Sequence, residues 1–232
     1  MNLLLEAVPE QERRRLEPFL ETVTVDLKDV MVEAGEPIRY VYFPNGAVAS
    51  SVYTMRDGST VETTITGLEG IIGVHVWLRQ SVAVTRTFVQ VPGECVRMRS
   101  DLFLAKVVDA KSPLNDLIGE YVSAYLSLTT ITAACNRIHL VEERLCRWLK
   151  MVHNRVQGDC FPVRHEFLAY MLGVHRPSVS IAAAMLRKAG LIRYEYGRLT
   201  VLDAKGLEAA ACECYSAMEM EFERRFGRKL RK

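Results

Sequence analysis

The alternation of apolar and polar positions changes period near residue 113. Before that point short runs alternate with period two. AVASSVYTM and TVETTIT flank RDGS, and Asp-Gly between two such runs is a strong hairpin signal. GLEG and VPGE supply two further turns, and VTRTFVQV reads as another strand. Ahead of them PEQERRRLEPFLE has the spacing of a charged amphipathic helix closed at its Glu-Pro. Strands this short and evenly spaced predict an antiparallel sandwich or barrel over about residues 20–100.

From Leu114 the period lengthens. Leu114, Leu117, Tyr121, Ala124, Leu128, Ile131, Cys135 and Ile138 follow one another at alternating spacings of three and four, an a/d pattern. Such a stripe suits a helix buried on its own domain, and it equally suits a helix paired with a second chain. Ile118 and Tyr125 widen it. We read one long helix with both tasks, and assign pairing to Leu114, Leu117, Tyr121, Ala124, Leu128 and Ile131.

A second helix is expected from about Val141 to Val156, with Leu145, Trp148, Leu149 and Val152 on one face and Gln157-Gly158-Asp159 at its end. VRHEFLAYML and PSVSIAAAMLRKA follow as helices, and LIRYEY and RLTVL flank Gly197 as a small hairpin. A charged helix is expected after Asp203, fraying at RRFGRKLRK. The chain thus reads as an α+β fold in three parts: a β domain (1–112), a long helix (113–140) and a helical domain (141–232).

The break GVHRPSVS between two helical segments has the requirements of a helix-turn-helix. Two steeply crossing helices need a small residue where they cross and a turn residue that tolerates positive φ. Ala169 and Gly173 meet these needs, and Val179 with Leu168, Leu172, Val174 and Ala182 supplies the apolar lock. Pro177 suits the first turn of a helix, where an amide hydrogen has no intrahelical partner. The second helix, about 176–188, would project Arg176, Ser178 and Ser180, with His175 and Pro177 beside them. Arginine pairs bidentately with guanine. Arg198, expected at the hairpin tip, and Arg164 with His165 at the start of the first helix are candidate phosphate contacts.

Charge supports a polyanionic partner only locally. The 232 residues carry a formal net charge of +2. Between Arg155 and Arg198, however, seven bases face three acids, 7 − 3 = +4. Hydrophobic content of 49% is that of a globular protein, and the apolar run from Tyr121 to Cys135 is too short to span a bilayer. MNLLLE meets glutamate at once and lacks a basic lead, so a cytoplasmic protein without a secretory leader is expected. Cys95, Cys135, Cys146, Cys160, Cys212 and Cys214 form no CxxC pair, and the expectation is buried thiols with no metal site. No constellation of activated nucleophile and base stands out, so no enzymatic activity is expected.

With these features in place, the chain resembles the cyclic-AMP-receptor/FNR (Crp/Fnr) family of bacterial transcription regulators over nearly its whole length. The resemblance rests on VMVEAGEPIRYVYFPNGAV, the long helix, and FLAYMLGVHRPSVSIAAAMLRKAGLIRYEYGRLTVLD. It implies a cyclic-nucleotide-binding-like β-barrel (jelly roll), a homodimer across the long helix, and a winged helix-turn-helix on near-palindromic double-stranded DNA, with RNA polymerase as a further partner. Arg176 matches the family's base-reading arginine. Pro177 stands where the cyclic-AMP branch has a glutamate, and Ile181 where it has a second reading arginine; Ile181 instead suits a thymine methyl or packing.

The sensor pocket implied by resemblance comprises Gly70, Gly73, Val74, Thr85, Arg86 and Thr87. Val74 replaces the ribose-binding glutamate, and Arg86 lies one place from the phosphate-binding position, which argues against cyclic AMP. No cysteine precedes Cys95, which argues against the iron–sulfur centre of the oxygen-sensing branch. No cofactor is predicted; haem is left open, with His75 as its candidate ligand. Two alternatives of other classes are a cupin-type metal enzyme, for which the first 138 residues offer one histidine, and a dimeric interaction module that binds no DNA.

Overall fold

The structure, a computed structural model, describes residues 1–227. Two short helices, α1 (Leu3–Ala7) and α2 (Glu10–Leu16), lead into the strands β1 (Glu21–Val25), β2 (Val30–Val32), β3 (Tyr40–Pro44), β4 (Val48–Thr54) and β5 (Thr60–Thr66). A helical turn, α3 (Val74–Trp77), separates these from β6 (Arg86–Val91) and β7 (Gly93–Arg99). The strands form a three-stranded sheet in the order β1-β7-β3 and a four-stranded sheet in the order β2-β6-β4-β5. The Asp-Gly hairpin is the β4–β5 connection. Gly58 takes φ +84°, and Asp57 accepts the Ser59 amide at 2.9 Å.

After β7 the chain turns helical through α4 (Ser100–Phe103) and a wide turn to Val108, then enters α5 (Pro113–Ile138). The fold is α+β with jelly-roll-like sheets. It divides into two compact units, one of Met1–Ser51 with Ile65–Leu126, the other of Val52–Thr64 with the chain from Ser127 on. The first is centred on Val41, Phe43, Val48, Val89, Cys95, Met98, Phe103, Leu114 and Ile118, all buried. In β3, burial follows the pleat, with Val41 and Phe43 inside and Tyr40 and Tyr42 at the margin.

Within the single chain most of the heptad stripe of α5 faces inward. Leu114, Tyr121, Ala124, Leu128 and Cys135 are buried within the single chain, and Leu117 and Ile131 are half-buried. Most of the stripe therefore packs α5 against its own protomer, whereas Ile138 at its end is exposed. The exposed side of the helix carries Leu126, Ala133 and Arg137 instead. Heptad spacing reports an apolar stripe and is silent on which surface covers it.

In the second unit α6 (Val141–Arg155) is the central element. Around it stand α7 (His165–Leu172), α8 (Arg176–Lys188), α9 (Ala204–Ala209) and α10 (Cys214–Phe226). A sheet in the order β8 (Cys160–Pro162), β10 (Arg198–Val201), β9 (Ile192–Glu195) completes the unit. Leu145, Trp148, Leu149 and Val152 are buried as their spacing predicts. Burial also takes in Lys150, His153 and Asn154, which are paired as buried polar groups must be. Lys150 donates to Asn154 at 3.0 Å and meets Glu208 at 3.2 Å, His153 meets Asp159 at 2.7 Å, and Asn154 donates to the Tyr215 hydroxyl at 2.8 Å. Trp148 Nε1 donates to Glu62 of β5 at 2.9 Å, both buried.

The helix expected after Asp203 is broken between Ala209 and Cys214, giving α9 and α10; of RRFGRKLRK, residues 228–232 lie outside the described residues. Strand β8 is an addition to the elements that the sequence pattern predicts. Among the described residues no helix is long and apolar enough to cross a membrane.

Candidate nucleic-acid interface

The turn between α7 and α8 is built as its residue types require. Gly173 closes α7 at φ +60°, and its amide bonds back to the Tyr170 carbonyl at 3.2 Å. A side chain there would be strained, and its Cβ would sit 3.1 Å from the Val61 methyl. Ala169, Val179 and Ala182 are buried where α7 and α8 cross. From α6, the buried guanidinium of Arg144 donates to the Leu172 carbonyl and, at 2.9 Å, to Asn136. A cation on the last carbonyls of a helix satisfies acceptors that the helix itself leaves open. Burial lowers the pKa of Arg144.

His175 is the N-cap of α8 and Pro177 occupies its first turn. The exposed side of α8 carries Arg176, Pro177, Ile181, Met185 and Lys188, with Ser178 half-buried. Ser180 departs from its expected outward role. Its hydroxyl donates to the Arg176 carbonyl at 3.2 Å and meets His165 Nδ1 at 3.1 Å, tying α8 to the start of α7. With the serine proton used, His165 serves as the Nδ1–H donor. Its ring lies 4.6 Å from that of Tyr194, and burial, then the charges of Arg176 and Arg187, lower its pKa.

The hairpin β9–β10 turns through Tyr196 and Gly197, both at positive φ (50° and 74°), as a two-residue turn of the primed kind needs. Its tip is Tyr196, fully exposed. Arg198, expected at the tip, instead begins β10 and donates Nε to Cys160 Sγ at 3.3 Å. That bond holds the Cys160 thiol below its usual pKa. Arg164, His165, Glu166, Arg176, Tyr194, Tyr196 and Gly197 line one open groove. A helix start, a hairpin tip and two exposed arginines therefore share a surface, the arrangement that can meet bases and phosphates together.

Of the six residues assigned to a sensor pocket, Gly73, Val74 and Thr87 come together and Gly70, Thr85 and Arg86 do not. Gly73, Val74, His75 and Thr87 line a cavity of about 10 Å³, which Ser51, Thr66 and Tyr125 help close. That is room for about one water. Arg86 points away and pairs with Glu33 at 3.1 Å; Thr85 is half-buried beside it. Gly70 approaches the Tyr121 ring, and its carbonyl accepts from Asn2 at 2.9 Å. His75 lies on α3, not on a strand, and burial lowers its pKa.

Together these elements define a winged helix-turn-helix DNA-binding domain in a chain that begins with a two-sheet β domain. The comparisons with known proteins agree: residues 143–210 match the Crp-like helix-turn-helix domain family. Over most of its length the chain has the fold of the Crp/Fnr transcription regulators. It is similar to a CRP-family transcriptional regulator from Thermus thermophilus, at 19% identity and a TM-score of 0.67 over 82% of this chain and 96% of that one. FixK2 from Bradyrhizobium japonicum aligns at 13% identity and a TM-score of 0.68, over 83% of this chain and 98% of that one. The c-di-GMP-responsive global regulator CLP from Xanthomonas campestris gives 15% and 0.64, over 84% and 100%. No curated protein matches by sequence.

Proposed function

We propose that the protein is a sequence-specific transcription regulator that binds DNA as a homodimer, with α8 in the major groove. The observation that carries this reading is the shared surface of Arg176, Arg164 and the Tyr196–Gly197 tip around one groove. Arg176 reads a base, and Ile181 contacts a thymine methyl or the base beside it. Arg164, Lys188 and the wing hold phosphates, which fix register without reading sequence. Pro177 has no amide hydrogen and the Ser178 N–H is turned to the His175 carbonyl at 3.0 Å, so the start of α8 meets phosphates mainly through side chains.

Two chains related by a two-fold axis would present their α8 helices to half-sites about one helical turn apart, ~34 Å. The exposed side of α5 around Leu126 is the surface we assign to pairing. RNA polymerase is the further partner this reading implies, and the cytoplasm its compartment. The test is selection from random duplex DNA. A two-fold-related motif is expected among the enriched sequences; enrichment of none would overturn the reading.

A further inference from the structure

Two pairs of side chains distant from each other in sequence meet where the end of α5 faces the turn between α9 and α10. Cys135, His139, Cys212 and Cys214 bring their ligating atoms within 4.8 Å of one another. Cys135 Sγ lies 3.5 Å from Cys212 Sγ, and Cys214 Sγ lies 3.6 Å from His139 Nδ1. In a tetrahedral zinc site with bonds of ~2.3 Å to sulfur, neighbouring ligand atoms stand ~3.7 Å apart. The two measured edges already match that size, and the longest needs to contract by about 1 Å to reach it. We propose that this cluster is a structural zinc site with a Cys3His ligand set, which joins the end of α5 to the start of α10.

The surroundings agree in two independent ways. His139 turns Nδ1 into the cluster and Nε2 out to Glu213, at 3.0 Å. A ligating histidine commonly hands its other ring nitrogen to a carboxylate, which fixes its tautomer and orientation. Glu213 sits between two of the cysteines in sequence, so the Cys-Glu-Cys turn supplies two ligands and the support for a third.

Charge gives the second agreement. Three thiolates, a neutral imidazole and a divalent cation sum to −1. Arg147, only 4% exposed, lies close enough to favour the Cys135 thiolate, and its hydrogen bonds run to the sulfurs of Met151 (3.3 Å) and Met218 (3.7 Å). A buried guanidinium without a carboxylate beside it is costly unless a counter-charge lies near, and the zinc–thiolate centre supplies one.

The experiment uses the full-length reduced protein. After reconstitution with zinc sulfate and desalting, elemental analysis is expected to find about one zinc per chain, and cobalt(II) in its place should give the thiolate charge-transfer and tetrahedral d–d bands. Cys212→Ser and Cys214→Ser should abolish retention, Cys160→Ser outside the cluster should leave it intact, and Glu213→Gln should weaken zinc affinity about tenfold to a hundredfold. If a cysteine variant fails to fold, the wild-type cobalt spectrum alone decides. The proposal is overturned if wild type retains less than about 0.1 zinc per chain or if its cobalt spectrum lacks thiolate bands. Non-reducing mass spectrometry showing a Cys135–Cys212 disulfide without metal uptake would overturn it equally. None of these readouts depends on DNA binding.

Discussion

Single side chains separate reading from positioning. Arg176→Ala should remove preference at one base step in each half-site at a cost of ~1–3 kcal/mol, measured on a panel of single-base variants of the selected site. Equal weakening on every sequence would make Arg176 a phosphate contact. His165 adds a pH dependence whose sign follows from its lowered pKa. The unfolded chain, with a value near 6.5, takes up the proton first. Stability from neutral His165 is therefore complete above about pH 6.5 and lost as pH falls through the folded value. Urea titrations of wild type and His165→Gln across that window should diverge only at the acidic end. Such roles are partly visible in the sequence. Arg176 and Gly173 announce themselves by position in the turn. Ser180 does not, because the outward direction of a helical position says nothing about a histidine 15 residues earlier that turns its hydroxyl back.

Among the elements, the best-marked are those bounded by residues of restricted backbone. Asp57-Gly58 marks the β4–β5 hairpin, Gly173 and Pro177 frame α7 and α8, and Gly197 marks the β9–β10 turn. Strand β8 is three residues long and has no such punctuation; pairing with β10 makes it a strand. The α5 stripe is legible in the spacing, but its covering surface is not. This distinction makes a prediction. Leu126→Glu, at a position 61% exposed, should shift sedimentation towards monomer while leaving the thermal midpoint near that of wild type. Leu128→Glu, at 5% exposed, places a charge in the interior and should lower the midpoint steeply instead. An unchanged mass for Leu126→Glu would remove α5 from the dimer reading.

At the scale of the whole molecule, a net charge of +2 conceals a basic segment, and salt should expose it. The affinity for the selected site should fall linearly on a log–log plot, with a slope of about 0.9 per neutralised phosphate. Lys188→Ala should reduce that slope by about one contact without changing base preference, as read by fluorescence anisotropy over a salt series. A flat plot would favour an interaction module that does not use DNA. The cluster of Cys135, His139, Cys212 and Cys214 lies beyond sequence reading for a related reason. Its halves are 77 residues apart between Cys135 and Cys212, and each half alone, Cys135 with His139 or Cys212 with Cys214, offers only two ligands. The same long reach governs how the protein can be cut. Trp148 gives its indole hydrogen to Glu62, a residue on β5 that folds with the helical unit although it lies 86 positions earlier in the chain. A gene fragment opened at Val141 would leave that indole buried without its acceptor. The helical unit of this chain is a unit in space and not one continuous segment, and a swap made with it should carry the β4–β5 hairpin along.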